Sequence, residues 1–115
     1  MLVKVAEAKG ATLDWMVCRA RHPHADMSAT HVWLDTGDGE DDFLIEQTST
    51  DWAQGGPIID REKISIRQWT NVPIVHAYMP EGEWSSDGES PLIAAMRCLV
   101  VSRLGEEVEV PDGLS

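Results

Sequence analysis

The stretch Ser90-Pro91-Leu92-Ile93-Ala94-Ala95-Met96-Arg97-Cys98-Leu99-Val100-Val101-Ser102-Arg103-Leu104-Gly105 decides the fold. A capping hydroxyl and a first-turn proline open it and a glycine closes it, so it is predicted to be a helix over about 91–104. Leu92, Ala95, Met96, Leu99 and Val100 form one apolar face, yet Ile93, Ala94, Cys98 and Val101 make most of the remainder apolar too. A helix of that kind needs cover on two sides. Self-association through this helix or an exposed sheet edge, giving a homo-oligomer and by preference a dimer, is the expected cover. The alternative is that a loop and the tail from Glu106 to Leu114 supply it.

Upstream, Ile64 and Ile66 alternate with Ser65 and Arg67 as a strand, and Val72 to Met79 reads as the next. Asn71 and Pro73 between them suit a tight connection, so an antiparallel hairpin is expected. Pro80 to Glu89 reads as a polar loop. Near the N-terminus, Val3 and Val5 flank Lys4 in a short strand ending at Gly10, and Thr12 is placed to cap a second helix over about 12–22. Leu13, Met16, Val17 and Ala20 line its apolar side, Asp14 suits its first turn, and Pro23 stops it. His31-Val32-Trp33-Leu34 and Phe43-Leu44-Ile45 are candidate partner strands around an Asp/Gly turn. The expectation is α+β: a small antiparallel sheet of about three to five strands packed with those two helices.

Composition bounds the rest. The 115 residues, 43% of them hydrophobic, fit one domain spanning 1–115. No run is long and apolar enough to cross a bilayer, and Met1 to Glu7 lacks the order of a secretory signal, so the chain is expected in the cytoplasm, away from membranes. Cys18 and Cys98 fall in helical apolar patterns and are expected to be reduced and structural. Twenty acidic against 9 basic residues leave a net charge of −11, which disfavours direct nucleic-acid binding. Between Arg21 and Arg61 there is no Lys or Arg. Within that span Asp35, Asp38, Glu40, Asp41, Asp42 and Glu46 make an acidic face that is either plain solvation or a site for a basic protein partner.

Three runs carry a family resemblance: Leu13-Asp14-Trp15, Asp51-Trp52-Ala53-Gln54-Gly55-Gly56-Pro57-Ile58-Ile59, and Pro91-Leu92-Ile93-Ala94-Ala95-Met96-Arg97. Their order and spacing resemble the NinX-like proteins of tailed phages and prophages, a family of unknown function. The segment at about 23–47, with its acidic run, falls outside the resemblance and reads as a variable loop region. The resemblance implies a phage or prophage accessory protein working inside a bacterial host, and it implies no enzymatic activity.

The central run also has a chemical reading. Consecutive glycines permit close approach, and Pro57 suits the first turn of a short helix whose free amides would face the preceding loop. Such amides hold phosphate or carboxylate. With Trp52 and Trp69 as stacking surfaces and Arg61 and Arg67 as cations, the set Asp51, Trp52, Gln54, Gly55, Gly56, Pro57, Arg61, Arg67 and Trp69 is a candidate site for a small anionic metabolite or nucleotide signal, with a counter-defence role by analogy. The alternative is that Trp52 packs into the core and Gly55-Gly56-Pro57 merely turns the chain.

Catalytic chemistry has little support. No nucleophile elbow, Cys-x-x-Cys, His-Glu-x-x-His, P-loop or dinucleotide fingerprint occurs. His22-Pro23-His24 is the one close histidine pair, without a spaced ligand set, and the Asp/Gly turn lacks the alternation and closing Glu of a calcium loop. Neither catalytic residues, a metal site nor a cofactor is assigned.

Overall fold

The computed structural model describes residues 1–35, 40–80, 84–112 and 114, with the backbone alone for residues 34, 35 and 40–42. Along the chain it forms β1 (Leu2–Lys4), a 3-10 turn (Val5–Glu7), α1 (Gly10–Arg21), β2 (Asp26–Met27), β3 (His31–Asp35) and β4 (Glu40–Leu44). Next come α2 (Trp52–Glu62), β5 (Ser65–Gln68), β6 (Val75–Tyr78), β7 (Ser85–Gly88), α3 (Pro91–Leu104) and β8 (Glu107–Glu109). The class is α+β. The strands divide into three small antiparallel sheets, β1-β8, β2-β3-β4 and β5-β6-β7, and α2 joins the two expected helices.

Helix α3 is the centre of the packing. Ser90 Oγ accepts from the Ile93 N–H at 3.2 Å, and the Gly105 N–H closes the far end on the Val101 carbonyl at 3.1 Å. Leu92, Ala94, Ala95, Met96, Cys98, Leu99 and Val100 are all buried within the single chain. The β5-β6-β7 sheet and α1 both lie against the helix, with α2, β8 and the 3-10 turn adding to the cover. Its apolar circumference is therefore satisfied by sheet and helix packing inside one protomer. Self-association through α3 is not needed to explain it. Burying a leucine such as Leu99 contributes about 1.5–3 kcal/mol, so this helix supplies much of the hydrophobic stabilisation.

The expected hairpin forms as β5 and β6, with Ser65 opposite Tyr78 and Gln68 opposite Val75. Asn71 takes the left-handed conformation its turn requires, at φ 67, where asparagine is tolerated. Three expectations are corrected. The stretch from Pro80 to Glu89 is not all loop, because β7 pairs with β6 and packs on α3. A Cβ on Gly88 would sit 2.5 Å from the Ala94 amide, so a glycine lets this polar strand lie directly on the helix. The first helix begins at Gly10 after Lys9, with no side-chain cap, so Thr12 does not cap it. Asp14 lies beyond the first turn and is 7% exposed, so its role is burial and anchoring rather than a dipole contact.

Helix α2 is the largest departure. Asp51 takes the N-cap position, its Oδ1 accepting from the Ala53 N–H at 2.9 Å, and the helix runs through Gly55, Gly56 and Pro57 to a left-handed cap at Lys63. Pro57 thus lies inside a helix and not at the start of one. Two local features make this tolerable. Gly56 has no Cβ to clash with the proline ring, and capping by Asp51 fixes the first turn before the proline is reached.

Candidate functional site

Helix formation removes the amide cluster expected behind Pro57. The Gly55 N–H is bonded to the Asp51 carbonyl at 2.8 Å, and the Gln54 side chain bridges Asp51 Oδ2 at 3.1 Å and the Gln47 N–H at 2.5 Å. These residues build a tight helix entry. A Cβ on Gly55 would overlap the Thr48 carbonyl oxygen and stand 2.7 Å from Leu92 Cδ2, so the close approach the glycine permits is made by the chain itself. Trp52 is 55% exposed and does not pack into the core.

Arg61 lies elsewhere. It borders a groove of about 530 Å³ with Lys63, Trp84 and Arg103, at the C-terminal ends of α2 and α3. Arg103 pairs with Glu62 at 2.5 Å. Cations at two helix C-termini complement the negative ends of the helix dipoles, which accounts for this cluster without a ligand.

Arg67 and Trp69 come together on the outer face of the β5-β6-β7 sheet. Val75 and Ala77 turn inward and are buried, so His76 and Tyr78 occupy the opposite face. Register places Arg67, His76 and Asp87 in one row across three strands. The Arg67 guanidinium stands 6.0 Å from the Trp69 ring centroid, the Trp69 and His76 rings are 6.3 Å apart, and His76 stacks on Tyr78 at 5.8 Å. His76 Nδ1 lies 2.7 Å from Asp87 Oδ1, which fixes the imidazole in the middle of the row. Trp69 is 48% exposed, and Val72 and Ile74 beside it are exposed as well. An open concavity of about 620 Å³ runs from Gln68 to Pro73 next to Trp69. The face offers aromatic surface, one guanidinium and an imidazole to solvent, with the Asp87 carboxylate held against the imidazole. His76 and Asp87 were not among the expected site residues, although the alternation Val75-His76-Ala77-Tyr78 already sets His76 on the Tyr78 face.

The three runs singled out in the sequence meet at one turn, residues 47–51. Asp14 Oδ1 accepts the Ser49 N–H at 2.8 Å, and Gly55 packs against both the Thr48 carbonyl and the Leu92 side chain. Trp15, the next residue of the first run, donates its indole N–H to the Ser28 carbonyl at 2.8 Å. Arg97, from the third run, donates to the carbonyls of Ala8 at 2.8 Å and Asp87 at 2.9 Å, tying the first helix entry and β7 to α3. The family model described as bacteriophage P22, NinX matches residues 4–103, which include all three runs. The chain belongs to the bacteriophage P22 NinX family.

NinX membership makes it a phage accessory protein, and no curated protein matches the sequence. Within this NinX chain the acidic residues Asp35, Glu40, Asp41 and Asp42 fall on the paired strands β3 and β4, Asp38 lies outside the described residues, and Glu46 sits beyond β4, 3.4 Å from Arg21. Cys18 and Cys98 are free and buried, and burial pushes both thiols up to about 11. Among the described residues no three His, Cys, Asp or Glu side chains are grouped to hold a metal ion, and no helix is long and apolar enough to cross a membrane.

Proposed function

We propose that this NinX-family protein is a non-enzymatic binding module that holds a planar anionic small molecule, such as a nucleotide signal, on the outer face of the β5-β6-β7 sheet. The observation that carries the reading is the row of Arg67, Trp69, His76 and Tyr78 on one solvent-facing surface. A base or other flat ring stacks on Trp69, and the Arg67 guanidinium receives the phosphate or carboxylate. Stacking on one aromatic side chain is worth about 1–3 kcal/mol, and a charge-assisted hydrogen bond adds a similar amount. After the cost of association that sum gives weak binding by a single protomer. The exposed Val72 and Ile74 favour a second copy closing over the ring, so the binding species is a homodimer. In a phage protein such binding would withhold a signal from the host. A nucleotide panel read by thermal shift tests this: wild type should be stabilised by at least one member, and Arg67→Gln or Trp69→Ala should lose the shift. An unshifted melting temperature across the panel counts against the module.

The acidic hairpin supports a second reading, a docking face for a basic host protein. Its strands carry Asp35 and the run Glu40-Asp41-Asp42, and the sequence has no Lys or Arg between Arg21 and Arg61 to offset them. Host-protein capture that weakens with salt, and is lost when Asp38, Asp41 and Asp42 become Asn, would support it. Capture indifferent to both would end it.

A further inference from the structure

Between α1 and the end of β4 lies a cleft of about 220 Å³, lined by Asp14, Val17, Cys18, Arg21, His22, Phe43, Glu46 and Thr48. We propose that this cleft binds a small organic cation carrying a protonated amine, with the ammonium between the Asp14 carboxylate and the Thr48 hydroxyl and its alkyl part against Val17 and Phe43. The site is separate from the outer sheet face and takes a ligand of the opposite charge.

Residues 14, 17, 18 and 21 recur at the spacing of one helical face, so a single stripe of α1, followed by His22 just past its end, forms one wall. At its foot Asp14 is 7% exposed and makes no ion pair with any described residue. One carboxylate oxygen accepts the Ser49 N–H. A buried carboxylate with no cationic partner is costly, and burial holds this carboxyl above the ordinary range although hydrogen bonding from Ser49 acts the other way. Thr48 is 2% exposed and its Oγ1 has no hydrogen-bond partner among the described residues. The Asp14 carboxylate has a donor only from Ser49, and the Thr48 hydroxyl on the same cleft has no partner among the described residues, so each has capacity for a further hydrogen bond. An ammonium group has three such donors.

The walls select against the other classes of ligand. An anion would face Asp14 and Glu46, while the Arg21 guanidinium that might attract it is engaged by Glu46 at 3.4 Å. His22 is a weak source of positive charge for an anion, because burial and then Arg21 lower its affinity for a proton. A purely apolar guest would leave Asp14 and Thr48 unsatisfied. Asp14, Cys18 and His22 follow one another every four residues, a spacing that suits metal pairs, but no three metal-binding side chains come together among the described residues. Phe43, set edge-on to His22 at 6.1 Å, presents an aromatic wall suited to an organic cation.

The full-length chain is titrated at physiological salt with n-butylamine, putrescine and, as an uncharged control, butanol. Either amine should bind once per chain and butanol should not. Asp14→Asn keeps the shape and the acceptor for Ser49 but removes the charge, and should weaken amine binding about thirtyfold or more. Thr48→Val should weaken it several-fold. Absence of amine binding overturns the proposal, and so does binding that both variants retain, which would be condensation on the acidic surface. Should Asp14→Asn fail to fold, Thr48→Val and the NMR shifts of wild type decide: changes centred on Val17 and Phe43 sustain the site, and changes spread over surface carboxylates refute it.

Discussion

Ser49 donates its backbone N–H to Asp14 Oδ1 at 2.8 Å, joining residues 35 positions apart, and on this bond the first helix holds the turn that launches the second. Replacing Asp14 by Ala leaves that N–H buried without an acceptor. Urea denaturation should record a loss of about 1–3 kcal/mol, with the slope unchanged.

The same carboxyl makes stability depend on pH. Burial raises its native proton affinity, whereas in the unfolded chain it titrates near about pH 4. The native state then binds more protons than the unfolded state between those two values. The stability this gives is fully present below the unfolded pKa and is lost as pH rises through the native one. Wild type should lose stability relative to Asp14→Asn over that window in urea melts; a difference that stays flat with pH would contradict the assignment.

The adjacent glycines should respond by different amounts. Alanine at 55 must displace the Thr48 carbonyl or Leu92 and should cost about 1–3 kcal/mol by overpacking. Alanine at 56 meets only Trp52, with Cε3 at 3.6 Å, so its helix propensity and the proline that follows nearly cancel and the change should stay within about 1 kcal/mol. Equal melting temperatures for the two variants would show that Gly55 is not packed as described.

Arg97 is 7% exposed and bonded to two carbonyls on different elements. Arg97→Met should cost about 3 kcal/mol, and Arg97→Lys, which cannot reproduce the two-armed geometry, should recover only part of it. Thermal and urea melts of the pair measure the difference.

Both cysteines should be silent towards a thiol reagent at pH 8 in the native protein, since each is buried and titrates near about 11. In urea both should react. Fast labelling of either before unfolding would mean that its helix face opens.

These relationships differ in how far the sequence reveals them. Ser90-Pro91 and Gly105 punctuate α3 by local chemistry, and alternation marks β5 and β6, so both were legible. Helix α2 was not, because Gly55-Gly56-Pro57 carries turn chemistry, and what overrides it is the local Asp51 cap together with the packing of Gly55 against the Thr48 carbonyl and Leu92. Strand β7, Ser85–Gly88, has no apolar alternation and exists because Gly88 lies against Ala94 and Arg97 holds the Asp87 carbonyl. For the candidate site, residue types at Arg67 and Trp69 were readable. Their union with His76 and Asp87 depends on strand register, which composition does not encode.

The most direct test of the outer-face assignment is an NMR titration of the intact protein with nucleoside monophosphates, following the Trp69 indole and the ring protons of His76 and Tyr78. Upfield shifts of these three rings that saturate together, and vanish in Arg67→Gln, are the predicted result. Rings that do not move while shifts appear elsewhere, or nowhere, would contradict the claim that this face is the binding surface.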